Sequence, residues 1–135
     1  MGTHMKALAF GLLGMALCSF ASAELAFLPN TTGQSVLKFE ATTGEYKGVI
    51  GAGFVGAGVR CVEMSPLDGY LYVGTVISGT GLIQRFDPYT GEYAGSLASG
   101  FLTNPRSIAF RNDGTLLVSD QRGTSTCILA FTAAT

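Results

Sequence analysis

Tryptophan is absent from the chain, and its one histidine, His4, stands among the first four residues. Cysteine, proline and methionine are scarce, at three, four and four copies, and charged side chains make up only 13% of the 135 residues. Each shortage excludes something. Beyond residue 4 there is no histidine for a His-based triad, an imidazole metal ligand or an imidazole general base. Eight basic against nine acidic side chains, a net charge of −1, leave no basic stripe for nucleic acid or an anionic membrane surface. With 47% hydrophobic residues, the chain is too apolar for intrinsic disorder. Past residue 23 no stretch keeps a helical spacing, and β-branched and aromatic residues are prominent instead.

The N-terminal part stands apart from the rest. Met5-Lys6 reads as a natural start, with residues 1–4 as a tag or upstream extension. No charge follows until Glu24; an apolar run from Leu8 to Phe20 leads into Ala21-Ser22-Ala23. A basic residue, an apolar run and small residues at the end are the three parts of a secretory signal peptide, here over 5–23 with cleavage after Ala23. Leu17 directly precedes Cys18, which does not fit a lipoprotein signal. The expected location is secreted or periplasmic, with no membrane association after cleavage.

Residues 24–135 repeat themselves. Thr43-Gly44-Glu45-Tyr46 recurs as Thr90-Gly91-Glu92-Tyr93, and Gly53-Phe54 as Gly100-Phe101, both at an offset of 47. Arg60 matches Arg106 at 46, and Asp68-Gly69 matches Asp113-Gly114 at 45. Lys38-Phe39, Arg85-Phe86 and Ala130-Phe131 fall at a third equivalent place. A unit of about 40–50 residues made of several strands is the size of a propeller blade. Alternation and turn residues predict strands over 25–28, 36–40, 46–50, 59–64, 70–76, 82–86, 93–97, 107–110, 115–119 and 127–131. The glycines lie dispersed at turns, so no internal domain boundary is expected.

Pro105-Arg106-Ser107-Ile108-Ala109-Phe110, then Asn112-Asp113-Gly114, then Leu116-Leu117-Val118-Ser119-Asp120, resembles the blade consensus of NHL-type propellers. Their secreted relatives include six-bladed propellers of the virginiamycin B lyase kind. That family's blade continues with a strand ending in Phe-Asp and a Thr-Gly turn, as in Arg85-Phe86-Asp87-Pro88-Tyr89-Thr90-Gly91. The resemblance implies an all-β propeller of four-stranded antiparallel blades, each with strands a to d from inside to outside. On that scheme residues 24–135 read b-c-d, a-b-c-d, a-b-c. Closed propellers need at least about four blades, so the chain is expected to be a propeller fragment of a longer protein. Merging the two terminal sets of strands head to tail would give six strands in one blade, which fits a ring poorly. Uncovered blade faces, at the C-terminal end from Ile108, Phe110, Leu117 and Phe131, make self-association expected.

Chemical motifs are few. Gly51-Ala52-Gly53-Phe54-Val55-Gly56 spells G-x-G-x-x-G, but a dinucleotide site needs a helix to open after it, and Val59-Arg60 begins a β-like run. Asn30-Thr31-Thr32 is a glycosylation sequon, meaningful in a eukaryotic source. Cys61 and Cys127 either form a disulfide of an exported protein or pack as two free thiols. Their placement on distant strands favours thiols. Arg60 and Arg106 share one blade position, where guanidinium groups either bind a carboxylate or phosphate or tie loop carbonyls between blades. Asp120 closes its strand and could serve a divalent ion, although a single carboxylate is no site. The candidate ligand-binding set is therefore Arg60, Arg106 and Asp120, with no catalytic constellation, no metal and no cofactor expected. The expected function is an exported binding or scaffold module for an unknown protein or small-molecule ligand. The alternative is part of a lactonase- or lyase-like propeller enzyme whose catalytic residues lie on further blades.

Overall fold

The computed structural model of the chain describes residues 24–53 and 56–132. The extension over 1–4, the signal peptide expected over 5–23, and Phe54 and Val55 of the glycine-rich run lie outside the described residues. Among the described residues ten strands form three antiparallel sheets in chain order. The first sheet is β1 (Leu25–Asn30), β2 (Ser35–Glu40) and β3 (Tyr46–Ile50). The second is β4 (Cys61–Met64), β5 (Leu71–Ile77), β6 (Thr80–Phe86) and β7 (Tyr93–Leu102). The third is β8 (Pro105–Phe110), β9 (Leu116–Arg122) and β10 (Ser125–Phe131). This is the expected partition into three, four and three strands.

The repeated sequence makes repeated local structure. Asp87 Oδ1 accepts the amides of Tyr89 and Thr90, both at 2.8 Å, and Gly91 N donates to the Asp87 carbonyl at 2.9 Å. Glu40 does the same one unit earlier, taking the amides of Thr42 and Thr43 at 3.1 and 2.7 Å while Gly44 N donates to its carbonyl at 2.9 Å. Gly44 and Gly91 have φ of 73° and 78°, the left-handed conformation in which a side chain is strained. The turn brings an aromatic pair together each time. Phe39 and Tyr46, and Phe86 and Tyr93, have ring centroids 5.6 Å apart.

The middle sheet is buried on both faces. Leu71, Val73 and Phe86 pack with Val36 and Ile50 of the first sheet. Tyr72 and Ile83 point the other way and pack with Ile108, Leu116 and Val118 of the third. A strand covered on both faces reads as a continuous apolar run, and Leu71-Tyr72-Val73 is one. Gly74 faces its β4 register partner with no room to spare: a Cβ there would lie 2.4 Å from Cys61 Sγ.

Two expectations are corrected, and one is borne out. β7 runs on to Leu102, through the segment 98–101 that reads as a loop. Its register with β6 shifts between Gly81 and Ile83, and positive φ at Ala98 and Gly100 absorbs the extra residues as a bulge. As the sequence implied, the glycine-rich run leads into no α-helix: it ends in a single 3-10 turn, Gly56–Gly58, which gives no helix N-terminus to hold a pyrophosphate. Ile108, Phe110 and Phe131 do not form an uncovered face. They pack toward the middle sheet, and only Leu117 of that group lies on the open side, because period-two alternation turns it away from Leu116 and Val118.

Candidate ligand pocket between the second and third sheets

The residues singled out in the sequence have separate surroundings. Asp120 is 0% exposed, on the inward face of β9. Its Oδ1 accepts the amides of Thr103 at 3.0 Å and Asn104 at 2.7 Å, and its Oδ2 accepts Arg122 Nε at 2.9 Å. Burial alone would raise its pKa, but the Arg122 hydrogen bond and the two amides outweigh it and hold the carboxyl below the usual range. Arg122 Nη2 also donates to the Phe101 carbonyl, so the pair pins the link between β7 and β8. Arg106 is exposed and turns its guanidinium onto Gln121, with Nε 2.8 Å from Oε1. Arg60 is exposed, and its amide donates to the Gly74 carbonyl at 2.9 Å. Cys61 and Cys127 are both free thiols, so the disulfide alternative is not realised. Cys127 stands on β10 of the third sheet and Cys61 on β4 of the second. Burial pushes the Cys61 thiol up to about 11.

A different group of residues meets where the second and third sheets part. A pocket of about 290 Å³ is lined on its polar side by Asp68, Tyr72, Arg85 and Ser96. Its apolar wall includes Leu97, Phe110, Leu116 and Phe131. Tyr72 and Arg85 are register partners across β5 and β6, so both side chains leave the same face of the sheet. Asp68 comes from the turn before β5. Tyr72 Oη donates to Asp68 Oδ2 at 2.9 Å, and Phe110 packs edge-on to the Tyr72 ring with centroids 5.0 Å apart.

The charges in the pocket are partly balanced. Burial works against ionising Asp68, yet hydrogen bonds from Ser65, the Tyr70 amide and Tyr72, with the nearby Arg85 charge, hold its pKa below the usual range. Burial and the bond to Asp68 raise the Tyr72 phenol. Arg85 Nη2 donates to the Ala94 carbonyl at 3.0 Å, and its Cζ lies 5.9 Å from the centre of the Tyr70 ring. Its guanidinium also lies beside the Tyr72 phenol and opposes the rise in that group's pKa, while its buried Nε–H itself meets no acceptor. A buried donor left unpaired costs about 1–3 kcal/mol, which an acceptor placed there would recover.

The equivalent position one unit earlier shows what such a cation can hold. Lys38 stands in register with Phe27 as Arg85 does with Tyr72. Its Nζ donates to the main-chain carbonyl of Tyr89 at 2.9 Å and lies 3.5 Å from that of Pro88. The recurrence of Lys38-Phe39 as Arg85-Phe86 was thus the sequence signal for this site. It gave no hint of Asp68 or Tyr72, which join it only through the turn and the cross-strand register. Among the described residues no three His, Cys, Asp or Glu side chains are grouped to hold a metal ion. Comparison with protein-family models and with curated proteins finds no match for the chain.

Proposed function

We propose that the chain is an exported binding or scaffold module of the propeller-repeat class, whose ligand enters the pocket between its second and third sheets. The observation that carries this reading is the buried, unpartnered Arg85 Nε–H beside an apolar wall. Such a site selects a ligand with an acceptor oxygen next to an apolar body. The Asp68 carboxylate beside Arg85 disfavours a second negative charge, so a neutral carbonyl is preferred to a carboxylate. An amide or peptide carbonyl is the acceptor that the equivalent Lys38 already holds within the chain. The stacking of sheets through two shared cores, with matching turns in the first two, supports the propeller-repeat assignment.

Titration with N-acetyl-leucine amide and with N-acetyl-leucine, followed by NMR of the arginine Nε–H groups, tests the pocket. The amide is expected to shift the Arg85 signal and to bind more tightly than the acid. With the ring signals of Tyr72 and Phe110 followed as well, Arg85→Gln is expected to abolish their shifts while leaving the fold intact. If neither probe perturbs Arg85, Tyr72 or Phe110, the pocket is not a site for this ligand class.

A further inference from the structure

Among the described residues, each terminal sheet has one face that no other sheet covers. On the first sheet this face carries the rows Leu28–Leu37–Val49 and Ala26–Phe39–Tyr46, aligned across β1, β2 and β3. Leu28, Tyr46 and Val49 are 54%, 56% and 45% exposed. On the third sheet the open face carries Ala109–Leu117–Ala130 and Ser107–Ser119–Ile128. Ile128 is 72% exposed.

The two faces are halves of a junction that the chain already makes twice. Leu28, Leu37 and Phe39 stand where the middle sheet has Val73, Gln84 and Phe86, which are buried against the first sheet. Leu117, Ser119 and Ile128 stand where the middle sheet has Tyr72, Gly74 and Ile83, which face the third. Size matches as well. Apart from Ala26 the first face presents large side chains, whereas the second alternates small ones with Leu117 and Ile128, so one can interdigitate with the other. Two copies of the first face would set large against large, and neither set of six contains a charged side chain.

We propose that a second copy of this chain covers these faces head to tail, the open face of one third sheet packing on the open face of the other's first sheet. The contact is heterologous, and two copies bring six sheets together, within the range of about 4–8 for a closed ring. Stacking keeps each three-stranded terminal sheet whole, so no strands need to merge into one blade. The inference rests on the stacked-repeat reading but not on the pocket.

Sedimentation of the purified chain decides it. The wild type is expected to have the mass of two chains. Val49→Glu and Ile128→Glu are each expected to give the mass of one, with unchanged far-UV circular dichroism because both positions are at the surface. Mixed in equal amounts, the two variants should pair again, since each retains the face the other lacks. Val49→Ala and Ile128→Ala, which add no charge, should each weaken pairing at least about tenfold, as expected for losing two or more buried methyl groups. Arg85→Gln should leave the mass at two chains, which separates failure of the pocket reading from failure of this one. A wild type of one chain's mass overturns the proposal. That would be the result if the residues before 24 occupy the faces. Dissociation by Val49→Glu alone, or variants that stay apart when mixed, would equally overturn it.

Discussion

Asp120 is held by main-chain amides and Arg122, an arrangement that fixes a loop and leaves its lone pairs little to offer an ion. Asp120→Asn keeps the shape but removes the charge and turns one amide group toward donors. The expected loss is about 2 kcal/mol in chemical denaturation, the scale of hydrogen bonds to a charged group. An unchanged unfolding midpoint would show that the link between β7 and β8 does not depend on this carboxylate. The two thiols should differ in reactivity for a physical reason. Cys61 is buried with its pKa pushed up to about 11, whereas Cys127 is partly exposed on β10. Alkylation of native protein near pH 8, read by mass spectrometry, should modify Cys127 first, because the thiolate is the reacting form.

At the scale of elements, stability depends on turns and on close strand contacts. Gly91 sits at φ 78°, so Gly91→Ala should cost about 1 kcal/mol or more in a thermal or urea melt. Gly74 is constrained by space instead. A Cβ at that position would meet the sulfur of Cys61, its register partner on β4. Gly74→Ala alone should destabilise the protein, and Cys61→Ala should recover part of the loss when the two are combined. Simple additivity in that double-mutant cycle would show that the crowding is relieved elsewhere.

Across the whole molecule, acid should weaken the fold. Asp68 and Asp120 are both held below their usual pKa by hydrogen bonds and neighbouring arginines. Near pH 4 and below, the unfolded chain takes up protons on these groups before the folded one does, so the unfolded state gains. Their contribution is complete above about pH 5 and is lost as pH falls through about 3.9 toward the lower folded values. Unfolding midpoints should therefore drop between pH 5 and 3, and Asp120→Asn should flatten the slope. A midpoint independent of pH across that range would contradict the linkage. Expressed with an export pathway, the protein is expected to begin at Glu24, and mass spectrometry of an intact N-terminus would rule out the signal peptide.

Much of the fold was legible in the sequence because its determinants are local. Period-two alternation predicts the strands, and the Thr-Gly turns and the doubled Asp-Gly mark where they end. The division into three, four and three strands followed once the resemblance to a four-stranded blade was applied to that order. Side-chain identity also marked Lys38 and Arg85 as equivalent. What the sequence could not carry was anything set by pairing between distant segments. The bulge that extends β7 depends on its register with β6, and the inward turn of Ile108, Phe110 and Phe131 depends on which side the middle sheet lies. The enclosure of Asp120 needs amides 16 and 17 residues away. The pocket needs Asp68, Tyr72 and Arg85 on one face opposite Phe110 and Phe131, a convergence produced by sheet stacking and invisible in any single stretch of chain.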